Sequence, residues 1–353
     1  VIDNTRSAVE PFLTNAADRA LREKVWRVFV ERGNNGNEHD NNGLISRILA
    51  LRYERARLLG YETHAHWAVE LAMAAKPERT LALMEAVWTP AVAKVRADVA
   101  EMQALAKAEG ADIVIEPWDY RYYAARLREK KYGLDMKALQ PYLALDRLQQ
   151  GMFKAAERLY GLRFVPAQGV PVQHPAVQAW EVWQGQEKQL ALFIYDPYAR
   201  PGKNSGAWMN YYREQHRLDG GAMPIVSNNT NFIAADKGQP VLLSWTDAVT
   251  LFHEFGHALH GMLSDVTYPT LAGPAVARDF VEFPSQINEH WLITDEVLNG
   301  YARHYQTGAP IPAALLTKLK AAENADQGFS TVEYLSAALV DMKMHLSGAA
   351  PVQ

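Results

Sequence analysis

The 353-residue sequence predicts a mainly α fold with a small β-sheet beside a metal-binding helix. Three observations carry that expectation. Apolar residues recur at helical spacing up to Gly161, the stretch 162–245 is richer in Gly, Pro and alternating patterns, and helical periodicity returns at about 246 around His253-Glu254-Phe255-Gly256-His257. Residues 1–32 read as helical, with Leu21, Val25 and Phe29 on one face. Gly33 to Gly43 is an Asn-rich connection. A second helix covers 44–60 and ends at Gly60. Thr63 to Ala75 and Pro77 to Gly110 are further helices; the latter is Ala- and Leu-rich, with Met84, Trp88 and Met102 as core. Residues 117–132 and 135–161 continue the series, and no repeat of fixed period is evident.

Beyond Gly161 the pattern alternates. Val177 to Trp183 and Gln189 to Tyr195 read as a hairpin turning at 185–188. In its second strand Leu190, Leu192 and Ile194 alternate with Ala191, Phe193 and Tyr195, so both faces are apolar. A short strand follows near 224–227. From about 246 to about 345 the chain is helical again, apart from a connector over 264–278 that carries Pro269, Gly273 and Pro274. The change of character at Gly161 divides the chain into a helical region, 1–161, and a metal-binding region, 162–353.

Composition narrows the function. With 48% hydrophobic and 22% charged residues the chain is ordinary for a globular protein that can bury a large core. A net charge of −4 argues against binding nucleic acid by phosphate neutralisation. No run of about eighteen apolar residues exists, so no membrane-spanning helix is expected. The absence of cysteine removes disulfides and thiolate ligands and leaves His and carboxylate as the strong metal ligands. A Cys-free chain suits cytosol and periplasm alike, and the cytoplasm is the expectation.

His253 to His257 forms an H-E-x-x-H pattern. Residues four apart lie on one face of a helix, so both imidazoles can reach one metal ion, and Glu254 can address a water on it. Zinc suits two His plus one carboxylate with an open position. Leu251, Phe252, Phe255 and Leu259 supply apolar positions, Ser244 to Asp247 offers capping chemistry, and Gly261 marks the helix end. Asp247 reads as part of the cap rather than as a partner of a ligand imidazole. The metzincin pattern would need Gly at 260 and His at 263; the chain has His260 and Leu263. The third ligand therefore comes from a later element, with Glu282, Glu289 and Asp279 as candidates. Flanking Val281 and Phe283 suggest a carboxylate among apolar groups and favour Glu282, although spacing does not separate it decisively from Glu289. His260 either flanks the site or is a polar residue of the same helix. His290 reads as structural or exposed, and the tyrosines at 120, 122, 123, 211 and 212 as packing groups. A mainly helical, zincin-like metallopeptidase is the fold expected.

The run from His253 to Trp291, HEFGHALHGMLSDVTYPTLAGPAVARDFVEFPSQINEHW, closely resembles the thimet oligopeptidase family of zinc peptidases. Its ending, PSQINEHW, is most similar to the bacterial peptidyl-dipeptidase branch. Glu116 to Tyr123, Asp196 to Lys203 and Gly206 to Met209 resemble other segments of that family more loosely. The resemblance implies one zinc ion held by His253, His257 and Glu282, with Glu254 as general base. It implies removal of C-terminal dipeptides from short peptides, with an endo-acting oligopeptidase of the same family as the alternative, and a non-catalytic helical binding module as the reading if the chain lacks essential C-terminal residues. A monomer without nucleic-acid or membrane partners is expected. Members of the family carry a later Gly- and Tyr-rich segment, with a His and tyrosines that bind the substrate carbonyl. No such segment occurs here, so the chain reads as an internal portion of a longer protein whose metal-binding region is incomplete on its C-terminal side.

Overall fold

The computed structural model describes Asn4 and residues 6–185, 188–322 and 325–348. The chain divides into two compact units, residues 1–134 with 317–353, and residues 135–316. In the first, α1 (Arg6–Asn15), α2 (Arg19–Val30), α3 (Asn42–Leu58), α4 (His64–Val69), α5 (Pro77–Ala108) and α6 (Pro117–Tyr132) follow in order. The helix expected over 1–32 is broken at Ala16-Ala17-Asp18, because Asp18 caps α2 by accepting the amide of Leu21. The carbonyls freed at the break, Ala16 and Ala17, accept from the buried Arg22 guanidinium at 2.8 and 3.1 Å. The helix expected over 63–75 is shorter and stops at Val69. Pro77 and Pro117 each sit in a first helical turn, where a missing amide costs nothing. Met102, Leu105, Ala106, Tyr120, Tyr123 and Ala124 form one core cluster of this unit.

The second unit holds α7 (Leu145–Tyr160), β1 (Leu162–Pro166), β2 (Gln178–Gln184), β3 (Lys188–Tyr198), β4 (Trp208–Arg213), β5 (Ile225–Phe232), α8 (Trp245–Met262), α9 (Glu282–Glu289) and α10 (Asp295–Gly300). The expected hairpin is β2 and β3, paired antiparallel from Gln178↔Tyr195 to Gln184↔Lys188; Gln186 and Glu187 of its turn lie outside the described residues. The sheet order is β1-β2-β3-β5-β4, with β3 and β5 parallel and the other pairs antiparallel. Ala191, Phe193, Ile194 and Tyr195 are all buried, so β3 is apolar on both faces as read. Two strands, β1 and β4, were not anticipated, and β5 extends to Phe232, well past 227. The composition change at Gly161 falls inside this unit. Gly161 ends α7 in the left-handed conformation, and β1 follows directly.

After α8 the helical series is interrupted more often than read: α9 and α10 are short, and the chain is irregular from 302 to 312. Across the unit boundary runs α11 (Ala313–Ala322). In the first unit α12 (Gln327–Leu346) packs along α5, and its Phe329 stacks on Tyr120 with ring centroids 4.0 Å apart. The residues beyond Gly348 lie outside the description. No described helix is long and apolar enough to cross a membrane.

Candidate metal centre

The helix that carries the motif is held by its own ends and by its apolar side. Ser244 accepts the amide of Asp247, and the Asp247 carboxylate accepts the amide and hydroxyl of Ser244, closing a capping box. Asp247 is thus a cap, as read. The helix runs one residue past Gly261. Instead of ending the helix, Gly261 makes room for Met209 and Tyr211, which a Cβ there would meet at 2.6 and 3.0 Å. Phe252 and Phe255 are fully buried. The ring of Phe255 joins Phe153 of α7, Phe164 of β1 and Phe193 of β3, with centroids 5.7–5.8 Å away. The two residues inside H-E-x-x-H therefore do different work: Phe255 anchors the helix to the sheet and α7, while Gly256 faces α9. A Cβ on Gly256 would meet Ser285 Cα at 2.6 Å and Asn288 Cβ at 2.8 Å, so only glycine allows α9 to come this close.

That close approach brings the third carboxylate to the two imidazoles. Glu282 Oε2 lies 3.1 Å from His253 Nε2 and 3.0 Å from His257 Nε2. Ligand atoms of His253, His257 and Glu282 all lie within 4.8 Å of one another. A tetrahedral zinc with bonds of about 2.0–2.2 Å places its ligand atoms roughly 3.3 Å apart, so the donor types and their spacing fit that ion. Glu289 sits behind this cluster: His253 Nδ1 donates to Glu289 Oε1 at 2.7 Å. A carboxylate accepts, so this contact holds a proton on Nδ1 and turns Nε2 toward the cluster, where its lone pair would be available to a metal ion. Glu282 and Glu289, the two main candidates for the third carboxylate, thus take up different positions. Asp279 lies outside the cluster.

The reason given from sequence for Glu282 needs correction. Its side chain is 52% exposed and Phe283 is exposed too, so it is not a carboxylate enclosed by apolar neighbours. Burial is the largest single influence and raises its pKa, but the Ser285 hydroxyl and the two imidazoles together outweigh it and hold the carboxyl below the usual value. Glu254 is the enclosed one. It is 6% exposed, and its Oε2 has no hydrogen-bond partner among the described residues. Burial pushes its carboxyl up to about 7, with His253 opposing and the Glu282 charge adding. For His253 burial disfavours the cation, but the bond to Glu289 and the surrounding carboxylates outweigh it and raise the pKa. For His257 burial prevails and the pKa is lowered.

His260 borders a cavity of about 540 Å³ between the C-terminal half of α8 and α9, lined also by Phe280, Phe283 and Ile287. Its Nδ1 is buried without a partner among the described residues, and burial lowers its pKa. His290 is exposed, as expected. Tyr120 and Tyr123 are core, Tyr211 packs over Gly261 and Gly273, and Tyr212 is exposed. Sequence reasoning did not anticipate Asn228 and Asn288, whose buried amides donate to backbone carbonyls of α8. Nothing in spacing marks such residues; the only available signal was a polar residue within a strand or helix otherwise built for burial.

A family profile described as Peptidase family M3 matches residues 12–351. The chain is 39% identical over 338 residues to a dipeptidyl carboxypeptidase of Salmonella typhimurium, covering 96% of this chain and 50% of that protein. It is 40% identical over 337 residues to a dipeptidyl carboxypeptidase of Escherichia coli, covering 95% and 49%. An oligopeptidase A of Salmonella typhimurium is 34% identical over 342 residues, covering 95% and 50%. The chain spans about half the length of the curated relatives it matches. A match over almost the whole chain, joined to a zincin-like arrangement of motif helix and sheet, assigns the chain to peptidase family M3, the thimet oligopeptidase family.

Proposed function

We propose that this chain carries the metal centre of a zinc peptidase that releases dipeptides from the C-termini of oligopeptides. In this reading His253, His257 and Glu282 hold one zinc ion and Glu254 is the general base. One observation carries it. A buried carboxylate oxygen of Glu254 lacks any described partner and lies next to a cluster of two imidazoles and one carboxylate on adjacent helices. A carboxyl kept unpartnered in such a place is costly to fold unless something occupies the space beside it.

When bound, zinc supplies Lewis acidity, polarising a peptide carbonyl and lowering the pKa of water to about 7. Glu254 Oε2 takes the proton of the attacking water and returns it to the leaving amine. Its burial suits that work, because desolvation raises the proton affinity of the carboxyl, a rise that a bound cation would offset in part. Glu289 keeps His253 in the tautomer that leaves Nε2 free. Short peptides are the substrates proposed, with the cytoplasm as compartment and a monomer as the working form.

The exo-acting reading is favoured by the higher identity to dipeptidyl carboxypeptidases, 39–40% against 34% for oligopeptidase A. Endo-cleavage is the second reading, because the oligopeptidase A match extends over a similar share of this chain, 95%. Mass spectrometry of N-terminally blocked peptides digested by the zinc-loaded protein tests both. Stepwise loss of C-terminal dipeptides is expected. Internal cuts would move the assignment to an oligopeptidase, and intact peptides would reject catalysis by this chain.

A further inference from the structure

The motif helix is gripped from two sides at the carbonyls that flank its first histidine. Asn228, on β5 and 2% exposed, donates from Nδ2 to the Glu254 carbonyl at 2.7 Å. Asn288, on α9 and 6% exposed, donates from Nδ2 to the Phe252 carbonyl at 2.6 Å. Both carbonyls are mid-helix and already accept the amide four residues on, so each Asn takes the second lone pair. Residues 252 and 254 are separated by roughly 200° around the helix axis, so the two amides hold it from nearly opposite sides. One comes from the sheet, the other from the helix that contributes Glu282 and Glu289.

Stabilising α8 as a helix does not require these bonds, since its ladder is complete without them. A buried amide is expensive unless bonded, and a single such bond adds little net stability. What the pair does specify is position. Asn288 ties α9 to α8 one turn from the Gly256 contact and thereby sets how far Glu282 stands from His253 and His257. Asn228 ties α8 to β5 at the Glu254 carbonyl and sets where the helix segment that carries His253 and Glu254 stands against the sheet.

Resting on the zinc reading above, we propose that Asn228 and Asn288 are positioning residues that fix the geometry of the metal centre through the backbone of residues 252 and 254. Neither touches the metal or the reacting atoms. The test uses the full chain and its Asn228→Ala and Asn288→Ala variants, each loaded with zinc and, separately, with cobalt(II). Zinc affinity is read by chelator competition, coordination geometry by the cobalt visible spectrum, and folding by thermal unfolding of the metal-free protein. Asn288→Ala is expected to weaken zinc binding about 10–100-fold, the range found when groups supporting metal ligands are removed, and to change the cobalt bands. Asn228→Ala is expected to change the cobalt bands with a smaller loss of affinity. Should an alanine variant fail to fold, Asn288→Ser and Asn228→Ser carry the same measurements with less lost volume. A parent-like zinc affinity and cobalt spectrum beside a lowered unfolding temperature overturns the proposal, because the amides would then serve stability alone. A parent chain that takes up no stoichiometric zinc overturns the metal-centre reading itself, and the clamp with it.

Discussion

Glu254 and Glu282 bring the same functional group into opposite surroundings. Glu254 is enclosed and its carboxyl is pushed up to about 7, whereas Glu282 is half exposed and held low by the Ser285 hydroxyl and two imidazoles. A group that must exchange a proton belongs in the first setting and a group that must stay charged beside a cation belongs in the second. Glu254→Gln is therefore expected to retain zinc while peptide hydrolysis by the zinc-loaded protein falls by about 10²–10⁴-fold. Parent-like turnover in that variant would remove Glu254 from the role of base. Glu282→Ala should abolish tight zinc binding, while Glu289→Gln, which leaves His253 in place but weakens its orienting bond, should cost about 10–100-fold in affinity. Chelator competition measures both, and the reverse order would make Glu289 the third ligand.

At the scale of elements, the α8–α9 contact decides whether a site exists. A Cβ added at Gly256 would stand 2.6 Å from Ser285 Cα and 3.0 Å from the Pro284 carbonyl, both backbone atoms that cannot turn aside. Gly256→Ala is expected to destabilise the chain by about 1–3 kcal/mol, as overpacked contacts do, and to lower zinc affinity as α9 is displaced. Denaturant melts and zinc competition on one preparation check this; loss of stability with unchanged affinity would mean that α9 yields without moving Glu282. Elements also differ in how plainly they are written. The β2–β3 hairpin follows from its alternating apolar residues. The second half of β5, Asn228-Asn229-Thr230-Asn231, has poor strand propensity and was not read as strand. It is one because its side chains find partners across the unit: Asn228 on the Glu254 carbonyl, Thr230 on Pro197, and Asn231 on Asn204 and Gly206.

At the scale of the molecule each unit has its own internal fixings. In the second, buried Asp196 receives a two-pronged bond from Arg200 at 2.6 and 2.7 Å and a third from Lys203, whose ammonium also reaches the carbonyls of Tyr198 and Thr230. In the first, Asp119 is fully buried and accepts from Arg19 and from the equally buried Arg22. Asp119→Ala would leave the Arg22 charge without its carboxylate and is expected to cost about 3–5 kcal/mol, read from denaturant midpoints. A cost under about 1 kcal/mol would mean that the backbone carbonyls around Arg22 suffice to hold it.

The same unit carries an acid-sensitive contact where α3, α4 and α12 meet. The His64 ring lies tilted against that of His345, centroids 4.7 Å apart, near Arg52, Arg55 and Asp341. Burial, with the charges of His345, Arg52 and Arg55, pushes the His64 pKa from 6.5 down to about 4, Asp341 opposing. The neutral ring is the one that fits. Its contribution is therefore complete above about pH 6.5 and lost as pH falls toward 4. The unfolding temperature should fall through that window, and His64→Gln should flatten the fall. An unchanged pH profile in the variant would assign the acid lability elsewhere.

By itself the sequence determined the motif helix and the groups it offers to one face. Two imidazoles one helical turn apart with an adjacent carboxylate can hardly avoid a common face, and their capping and apolar positions declare the helix that carries them. Local rules of this kind act over a few residues and can be read along the chain. The sequence favoured Glu282 over Glu289 without separating them by spacing; tertiary structure set the rest: that Glu282 Oε2 stands against both Nε2 atoms, that Glu289 bonds the back of His253, that Gly256 is a contact surface, and that Asn228 and Asn288 grip the helix. Each of these depends on two segments far apart in the chain coming within about 3 Å, and burial, the force that brings them there, acts on surfaces rather than on neighbours in sequence.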